Sequence, residues 1–283
     1  MPDSPATPGT SPGTSPGKWN DLGTRVASAI VLLAVAAVAL WLGGVVWALL
    51  VTLVAVLMGW ELARLCEPGI QPSRSIPLAA SLAVPLALLA AGFLTGQDGE
   101  AIRNFQYASW GVMLLPPLLG ILFLNDARWI WVAYGLVIQF GAQFFLFTGL
   151  DPWGFSWLIV VVGIVILSDT LGYFAGRLIG GPKFWPRISP KKTWSGTVAG
   201  WIGAAIFGAF ALGGLLDSAA IGALAAVVVA FAGQMGDIAA SAIKRRVGVK
   251  DASNLIPGHG GFMDRLDAMI AAAAATIIFV LVF

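Results

Sequence analysis

The sequence predicts an all-α polytopic membrane protein with about nine transmembrane helices. Of its 283 residues, 58% are hydrophobic and only 11% are charged, whereas roughly a quarter of the residues in soluble domains are charged. Long apolar runs recur along the chain, and spanning the hydrocarbon core takes about 20 such residues per helix. Lysine and arginine also fall in alternate loops, as membrane topology requires.

Nine apolar segments meet the length criterion. They are residues 24–42, 45–64, 76–96, 106–124, 128–148, 155–179, 197–216, 219–243 and 265–283. Gly43-Gly44 separates the first two segments, and Asp151-Pro152 separates the fifth from the sixth, because glycine and proline interrupt helices.

Three regions follow from this pattern. Residues 1–22 are rich in Pro, Gly, Ser and Thr and are predicted to form a disordered tail. Residues 23–150 are predicted to form the N-terminal transmembrane helices. Residues 151–283 are predicted to form a C-terminal transmembrane region that is catalytic, because both long, charged loops fall within it.

Basic residues indicate the orientation. With a cytoplasmic N-terminus, nine spans place 15 of the 16 lysines and arginines on the cytoplasmic side and leave only Arg103 outside. We therefore expect the C-terminus to lie outside. The net charge of +2 favours no nucleic-acid partner, and the single cysteine, Cys66, excludes an internal disulfide.

Charges concentrate in one part of the chain. Residues 237–267 hold nine of the 30 charged residues and also His259, the only histidine. Asp237, Ser241 and Lys244 are spaced i, i+4 and i+7, which places them on about the same face of a helix. Such a line could hold a metal ion and an anion together. The alternative is an ordinary basic helix end, with Asp237 paired elsewhere.

The segment PGHGGFMDRLD adds glycines and carboxylates. The backbone amides of Gly260 and Gly261, just before a predicted helix, indicate an anion site. Asp264 and Asp267 lie one turn apart on one face of that helix, and carboxylate oxygens suit Mg²⁺ better than zinc. His259 is expected to contact phosphate or substrate rather than a metal.

The preceding charged loop contains SPKKTWSGT. A Ser-Pro turn is predicted to present Lys191 and Lys192 before a helix N-terminus, which suits a polyphosphate, although attraction to anionic lipid would also explain the charge. Asp169 follows a long apolar run, and an acid inside a membrane helix is a candidate functional residue. Glu61 is expected to pair with Arg64 at i+3.

The stretch SAIKRRVGVKDASNLIPGHGGFMDRLD resembles the signature of the phosphatidate cytidylyltransferase family, which is S-x-x-K-R-x-x-x-x-K-D followed by H-G-G-x-x-D-R-x-D. Eleven specified positions within 27 residues match. SPKKTW is similar to a second block of that family. Many relatives carry an acidic residue after this block, where the present chain has Ser195.

The resemblance implies transfer of a cytidylyl group from CTP to phosphatidic acid, giving CDP-diacylglycerol and pyrophosphate for phospholipid biosynthesis. It implies catalysis at the cytoplasmic face of the bacterial inner membrane by Asp237, Lys244 and Asp264. Mg²⁺ would be held by Asp237 and Asp264, with a second cation left open. The implied substrate-binding residues are Asp169, Ser189, Lys191, Lys192, Ser241, Arg245, Lys250, His259, Gly260, Gly261, Arg265 and Asp267.

Several alternatives stay open at this point. A related CTP-dependent enzyme could act on an ether lipid or a polyprenol. A secondary transporter would also have many helices, but it predicts repeated halves, whereas the polar residues here are concentrated in one half. An inactive scaffold could keep the signature. Small-residue stretches such as GWIGAAIFGAFALGG could also pack between chains, which leaves a homodimer open.

Overall fold

The computed structural model describes residues 18–95, 99–151 and 154–282 and shows eleven helical segments and one short hairpin there. In chain order these are α1 (Lys18–Leu42), α2 (Gly44–Cys66), α3 (Pro72–Ala80), α4 (Ala83–Thr95), α5 (Gly99–Gly111), α6 (Leu115–Phe123), α7 (Arg128–Leu150), α8 (Phe155–Leu178), β1 (Lys183–Trp185), β2 (Ser189–Thr193), α9 (Trp194–Ala211), α10 (Ala219–Arg246) and α11 (Met263–Val282). The first helix begins at Lys18, so residues 18–22 are helical where a disordered tail was predicted. The rest of that predicted tail lies outside the described residues.

The helices confirm the predicted fold class. Eight helical runs in the described part of the chain are long and apolar enough to cross a membrane, with α3 and α4 forming one run and α5 and α6 another. Both broken runs contain proline shortly after the break, at Pro85 and Pro116, where the missing N–H group and the ring disfavour a continuous helix. Helix α11 corresponds to the ninth predicted segment and begins with charged residues.

The SPKKT segment is a strand, so the predicted Ser-Pro turn is wrong. Strand β2 pairs antiparallel with β1, with Lys183 opposite Thr193 and Trp185 opposite Ser189. Proline fits here because a two-stranded hairpin has open edges that need no N–H donor. The predicted helix start is confirmed, since the Thr193 side chain caps α9 by accepting a hydrogen bond from the Gly196 amide at 3.2 Å.

Two apolar cores lie side by side and share α11. The first is built on α2 and α7, with Met58 and Trp131 fully buried, and α11 contributes Ile270 to it. The second joins α8, α9 and α10, with Ile164 at its centre and Ala272 contributed by α11. Helix α11 therefore lies between the helices α2 and α7 of the first core and the helices α8, α9 and α10 of the second.

The small-residue stretch of α9 is used within the chain. A Cβ atom at Gly200 would meet Ser168 of α8 at 2.7 Å, and one at Gly208 would meet the backbone of Gly222 on α10. These glycines let α9 approach its neighbours closely. The stretch thus packs inside one protomer, and a homodimer stays a prediction.

Polar contacts bring distant loops to one end of the helix bundle. Glu67 accepts hydrogen bonds from the Asn125 amide at 2.7 Å and from Arg74 Nη1 at 2.9 Å. The bond from Asn125, together with the charge of Arg74, lowers the pKa of the Glu67 carboxyl below its ordinary value. Arg246, at the end of α10, donates to both carboxylate oxygens of Asp126 at 2.8 Å.

Helix α1 reaches the same end. The Ser28 hydroxyl lies 2.6 Å from His259 Nδ1 and donates to the Pro257 carbonyl at 3.0 Å. The ends of α1, α2, α6 and α10 and the loop before α11 therefore share one end of the bundle. This agrees with the predicted common side for most basic residues, and its assignment to the cytoplasm stays a prediction.

Candidate active site

A cavity of about 390 Å³ opens between α8, β2, α9 and α10. It is lined by Ser168, Asp169, Gly172, Tyr173, Gly176, Arg177, Lys191, Lys192, Thr193, Gly196, Thr197, Gln234 and Asp237. Four residues predicted for the site, Asp169, Lys191, Lys192 and Asp237, therefore come together although they belong to three different elements. We call this space the polar cavity.

Lys192 is the central cation of the polar cavity. Its Nζ atom lies 2.6 Å from Asp237 Oδ2 and 3.4 Å from the Gln234 carbonyl oxygen. The side chains of Lys192 and Asp237 are 25% and 33% exposed, so this ion pair is open to solvent and to a ligand. Asp169 lies within electrostatic range of both residues. The cavity thus presents two carboxylates beside a partly exposed ammonium group.

Gln234 fixes the floor of the polar cavity. Its Nε2 atom donates to Ser168 Oγ at 3.2 Å, and its Oε1 atom accepts from Trp201 Nε1 at 3.0 Å. These bonds join α8, α9 and α10 directly below Asp237. Because the amide is buried and bonded on both sides, it holds the three helices at a fixed separation.

The predicted line of polar residues on α10 is present. The helix is continuous from Ala219 to Arg246, and Ser241 Oγ donates to Asp237 Oδ1 at 3.4 Å. Lys244 follows on the same face but leaves the polar cavity and turns toward α11. The line therefore connects two sites rather than forming one.

Lys244 forms a second, buried ion pair with Asp264 of α11. Lys244 Nζ lies 2.6 Å from Asp264 Oδ1, and the two side chains are only 9% and 4% exposed. Asp264 Oδ2 accepts from the amides of Ala252 and Gly261, both at 2.8 Å. The carboxylate thus fastens the loop between α10 and α11 to both helices.

The two glycine amides do not form a site for a free anion, because the Gly260 amide donates to the Ile256 carbonyl at 3.1 Å and the Gly261 amide donates to a carboxylate of the chain itself. Gly261 N–H points at Asp264, not at a free ligand space. Gly260 has a φ of 86°, and a Cβ atom there would lie 2.7 Å from Asp264 Oδ2. Glycine is therefore needed at this position for both the backbone conformation and the close approach.

Glu61 reaches the same loop, and its predicted pairing with Arg64 is wrong. The carboxylate is fully buried and accepts from Ser253 Oγ at 2.6 Å, from Phe262 N at 3.0 Å and from Met263 N at 2.7 Å. It therefore accepts hydrogen bonds from amides at the start of α11 that have no partner within the helix. A helix N-terminus favours a negative charge at this place. Arg64 instead lies over the Trp60 ring, 4.6 Å from its centroid.

Asp267 lies between the two ion pairs. It is 9% exposed and accepts a hydrogen bond from the Ala268 amide at 2.8 Å. Its electrostatic neighbours are Asp237 and Lys192 on one side and Lys244 on the other. Close packing brings α11 there, because a Cβ atom at Gly236 of α10 would lie 2.6 Å from the Asp267 carbonyl oxygen.

The other predicted site residues do not line the polar cavity. Arg245 Nη1 donates to the Val249 carbonyl at 2.7 Å, and Arg265 donates twice to the His259 carbonyl at 2.7 and 2.8 Å. Lys250 is exposed, and Ser189 begins β2 opposite Trp185. Their predicted contacts with substrate stay predictions.

Nine of the thirteen residues that line the polar cavity were not predicted as site residues, among them Tyr173, Arg177, Thr193 and Gln234. Tyr173 and Arg177 are one helical turn apart on α8, and the Arg177 guanidinium donates to the Tyr173 hydroxyl at 2.8 Å. The sequence signal that could have identified these two residues is their spacing of i+4 and i+8 from Asp169 on the same helix. The Ser195 hydroxyl lies 3.0 Å from Thr193 Oγ1 and donates to the Gly180 carbonyl.

The donor set fits a hard divalent cation. Within the described residues, no group of three or more His, Cys, Asp and Glu side chains is arranged around one point. Carboxylate oxygens nevertheless face the polar cavity from Asp169 and Asp237, and Lys192 already places one positive charge against Asp237. Mg²⁺ is commonly bound by one or two carboxylates and substrate phosphates, with water completing its shell.

Comparison with known proteins shows similarity along the whole described chain. The sequence matches the cytidylyltransferase family over residues 23–283. It is 33% identical over 274 residues to a Brucella abortus protein named phosphatidate cytidylyltransferase, covering 93% of this chain and 95% of that protein. A Pseudomonas aeruginosa protein of the same name is 32% identical over 261 residues, covering 89% and 94%. A Mycobacterium bovis protein of that name is 40% identical over 126 residues, covering 43% and 40%.

Proposed function

The chain belongs to the cytidylyltransferase family, and on this basis we propose that it transfers the cytidylyl group of CTP to phosphatidic acid, giving CDP-diacylglycerol and pyrophosphate. One observation in the fold supports this most directly. The polar cavity gathers two carboxylates and three basic side chains, those of Arg177, Lys191 and Lys192, in a chain with few charges. A polyphosphate and a divalent cation need this combination.

The reaction requires one bond to form and one to break. An oxygen of the lipid phosphate attacks the α-phosphorus of CTP, and the bond from that phosphorus to the oxygen bridging to the β-phosphate breaks. Pyrophosphate leaves with the electron pair. The attacking phosphate is already anionic near neutral pH, so the protein has little need of a general base. Its main task is to bring two anions together.

The chain's own residues supply most of this charge compensation. Lys191, Lys192 and Arg177 hold the triphosphate within the polar cavity, at the end of α8 and before the capped N-terminus of α9. Gln234 positions Asp237 and Lys192 through its bonds across three helices. Lys244 keeps a positive charge beside Asp267, where the two substrates would meet.

Asp237 and Asp264 would hold Mg²⁺, which when bound neutralises charge on the transferring phosphate. The Asp237 carboxylate lines the polar cavity. The Asp264 side already binds Lys244 and two amides, so its share in a metal site requires a rearrangement of the loop before α11. A second cation is a further part of the proposal.

An integral membrane location follows from the eight apolar helical runs of the described chain. We place the site at the cytoplasmic face of a bacterial inner membrane, because the polar cavity lies at the bundle end where the basic loops meet. There it has access to CTP from the cytoplasm and to lipid from the membrane. A CTP-dependent enzyme acting on another lipid class and a transporter are not favoured, since the relatives that match most of the chain are named phosphatidate cytidylyltransferase.

The test uses the purified full chain with phosphatidic acid and CTP labelled on the α-phosphate. We expect label in the lipid fraction only when Mg²⁺ is present, with an equal amount of pyrophosphate released. CTP labelled on the γ-phosphate is the matched control and should leave the lipid unlabelled. Transfer of γ-label would indicate a kinase, and the absence of both transfers in folded protein that still binds lipid would overturn the proposal.

A further inference from the structure

Tyr134 on α7 carries a buried hydroxyl group without a partner. The residue is 4% exposed, and within the described residues no hydrogen-bond acceptor or donor lies in range of its hydroxyl oxygen. A buried hydroxyl left unpaired is energetically unfavourable, so an unpaired group of this kind calls for an explanation. The other two tyrosines differ: Tyr173 bonds Arg177, and Tyr107 is 60% exposed.

The hydroxyl lies among the carboxylates of the candidate site. Asp267, Asp237 and Asp264 are close enough to act on it electrostatically. None of them is within hydrogen-bonding distance. The hydroxyl is therefore an unused hydrogen-bonding group near the acidic residues of α10 and α11, and a ligand atom that reached it would complete the hydrogen bond.

The surroundings of Tyr134 favour a lipid over a nucleotide. Tyr134 does not line the polar cavity, whose walls come from α8, β2, α9 and α10. An apolar cavity of about 190 Å³ opens farther along α7, lined by Ala142 and Phe145 and, on α11, by Leu266 and Met269. Tyr134 and Phe145 are 11 residues apart, about three helical turns, and share one face of α7. Leu266 is the chain neighbour of Asp267.

We propose that the Tyr134 hydroxyl donates a hydrogen bond to a phosphate oxygen of bound phosphatidic acid, with an acyl chain in the apolar cavity beside Phe145 and Met269. This rests on the proposed function. It gives the two substrates separate sides of the site: CTP enters from the polar cavity, and the lipid phosphate enters from the α7 side. A hydroxyl suits the position because it contacts phosphate without adding negative charge near three carboxylates.

The variant Tyr134→Phe removes only this hydroxyl. In the absence of lipid we expect its apparent unfolding temperature to equal or exceed that of the wild type, because an unpaired buried group is lost. With dioctanoyl phosphatidic acid and Mg²⁺, we expect roughly tenfold weaker binding and a similar rise in KM for that lipid. The KM for CTP should not change. Tyr107→Phe is the matched control and should behave as wild type.

A second measurement needs no loss of the hydroxyl. The chain has three tyrosines, so 3-fluorotyrosine labelling gives three ¹⁹F resonances that Tyr107→Phe and Tyr173→Phe assign. Dioctanoyl phosphatidic acid should shift the Tyr134 resonance, whereas dioctanoylglycerol, which lacks the phosphate, should not. An unshifted Tyr134 resonance, an unchanged lipid affinity of Tyr134→Phe, or an equal weakening of CTP binding in that variant would overturn the proposal. Wild-type label transfer under the same conditions separates this failure from failure of the proposed function.

Discussion

Two lysine–aspartate pairs of the same length behave as different structures. Lys192 and Asp237 meet at 2.6 Å in the polar cavity, and Lys244 and Asp264 meet at 2.6 Å beneath the loop before α11. The first pair is a quarter to a third exposed, whereas the second is less than a tenth exposed. Both pairs include a residue of α10, so the helix that carries them does not explain why they differ.

The difference lies in the remaining hydrogen bonds. Both oxygens of Asp264 are engaged, one by Lys244 and the other by two backbone amides, so the pair is part of the framework. Among the described residues, Asp237 has only a long contact with Ser241 besides Lys192, which leaves its carboxylate able to accept a new cation. We infer that ligand exchange belongs to the open pair and loop positioning to the buried one.

The largest expected effect on stability is that of Asp264→Asn. Removing one partner of a buried ion pair leaves an uncompensated charge on Lys244 and costs about 3–5 kcal/mol. We expect a marked fall in the apparent unfolding temperature together with loss of label transfer, while the protein stays in the membrane fraction. Thermal unfolding in detergent and the α-label assay measure the two quantities.

The matched control for that variant is the double change Lys244→Met with Asp264→Asn. It removes the buried charge left by the single change, so part of the stability should return, whereas activity should not. Wild-type stability of Asp264→Asn alone would show that the buried pair is not part of the framework. Near-normal turnover would contradict a catalytic role for this carboxylate.

A smaller effect is expected for Glu61→Gln. The amide group of glutamine would turn an N–H donor toward Ser253 or toward the free amides of α11, at a cost of about 1–3 kcal/mol. Hydrogen exchange of residues 252–263 should become faster, and transfer activity should fall because amides of this loop hold the Asp264 carboxylate in place. The control Arg64→Gln should change neither. Equal effects of both variants would restore the pairing predicted from sequence.

The sequence predicts much of the fold because apolar length and basic loops report directly on membrane spans. It also identifies the residue types of the site, since acids in apolar helices are costly and therefore noticeable. It does not predict the partner of Glu61. Arg64 was one turn away, whereas the true partner Ser253 is 192 residues distant and is set by the packing of α2 against the loop.

Tertiary packing also divides the charge cluster. The spacing of Asp237 and Lys244 places them on one face of α10, but it cannot show that β2 brings Lys192 to one and α11 brings Asp264 to the other. SPKKT was likewise misassigned, because Pro190 suggests a turn, and only pairing with Lys183–Trp185 makes the segment a strand. Local patterns identify candidate groups, and long-range contacts decide which of them meet.

The smallest effect on stability is expected for Asp237→Asn, and it separates the two pairs most clearly. The ion pair with Lys192 is partly exposed, and such pairs contribute about 0–1 kcal/mol, so the unfolding temperature should stay close to that of the wild type. Lys192 keeps its contact with the Gln234 carbonyl and gains water.

Transfer of α-label by Asp237→Asn should nevertheless fall at least about a hundredfold, because charge stabilisation at the reacting phosphate is lost. Asp126→Asn, which removes another exposed ion pair, that with Arg246 outside the polar cavity, is the control and should stay close to wild type in both stability and transfer. If Asp237→Asn instead unfolds as early as Asp264→Asn, the open pair is structural too, and the division of labour along α10 is wrong.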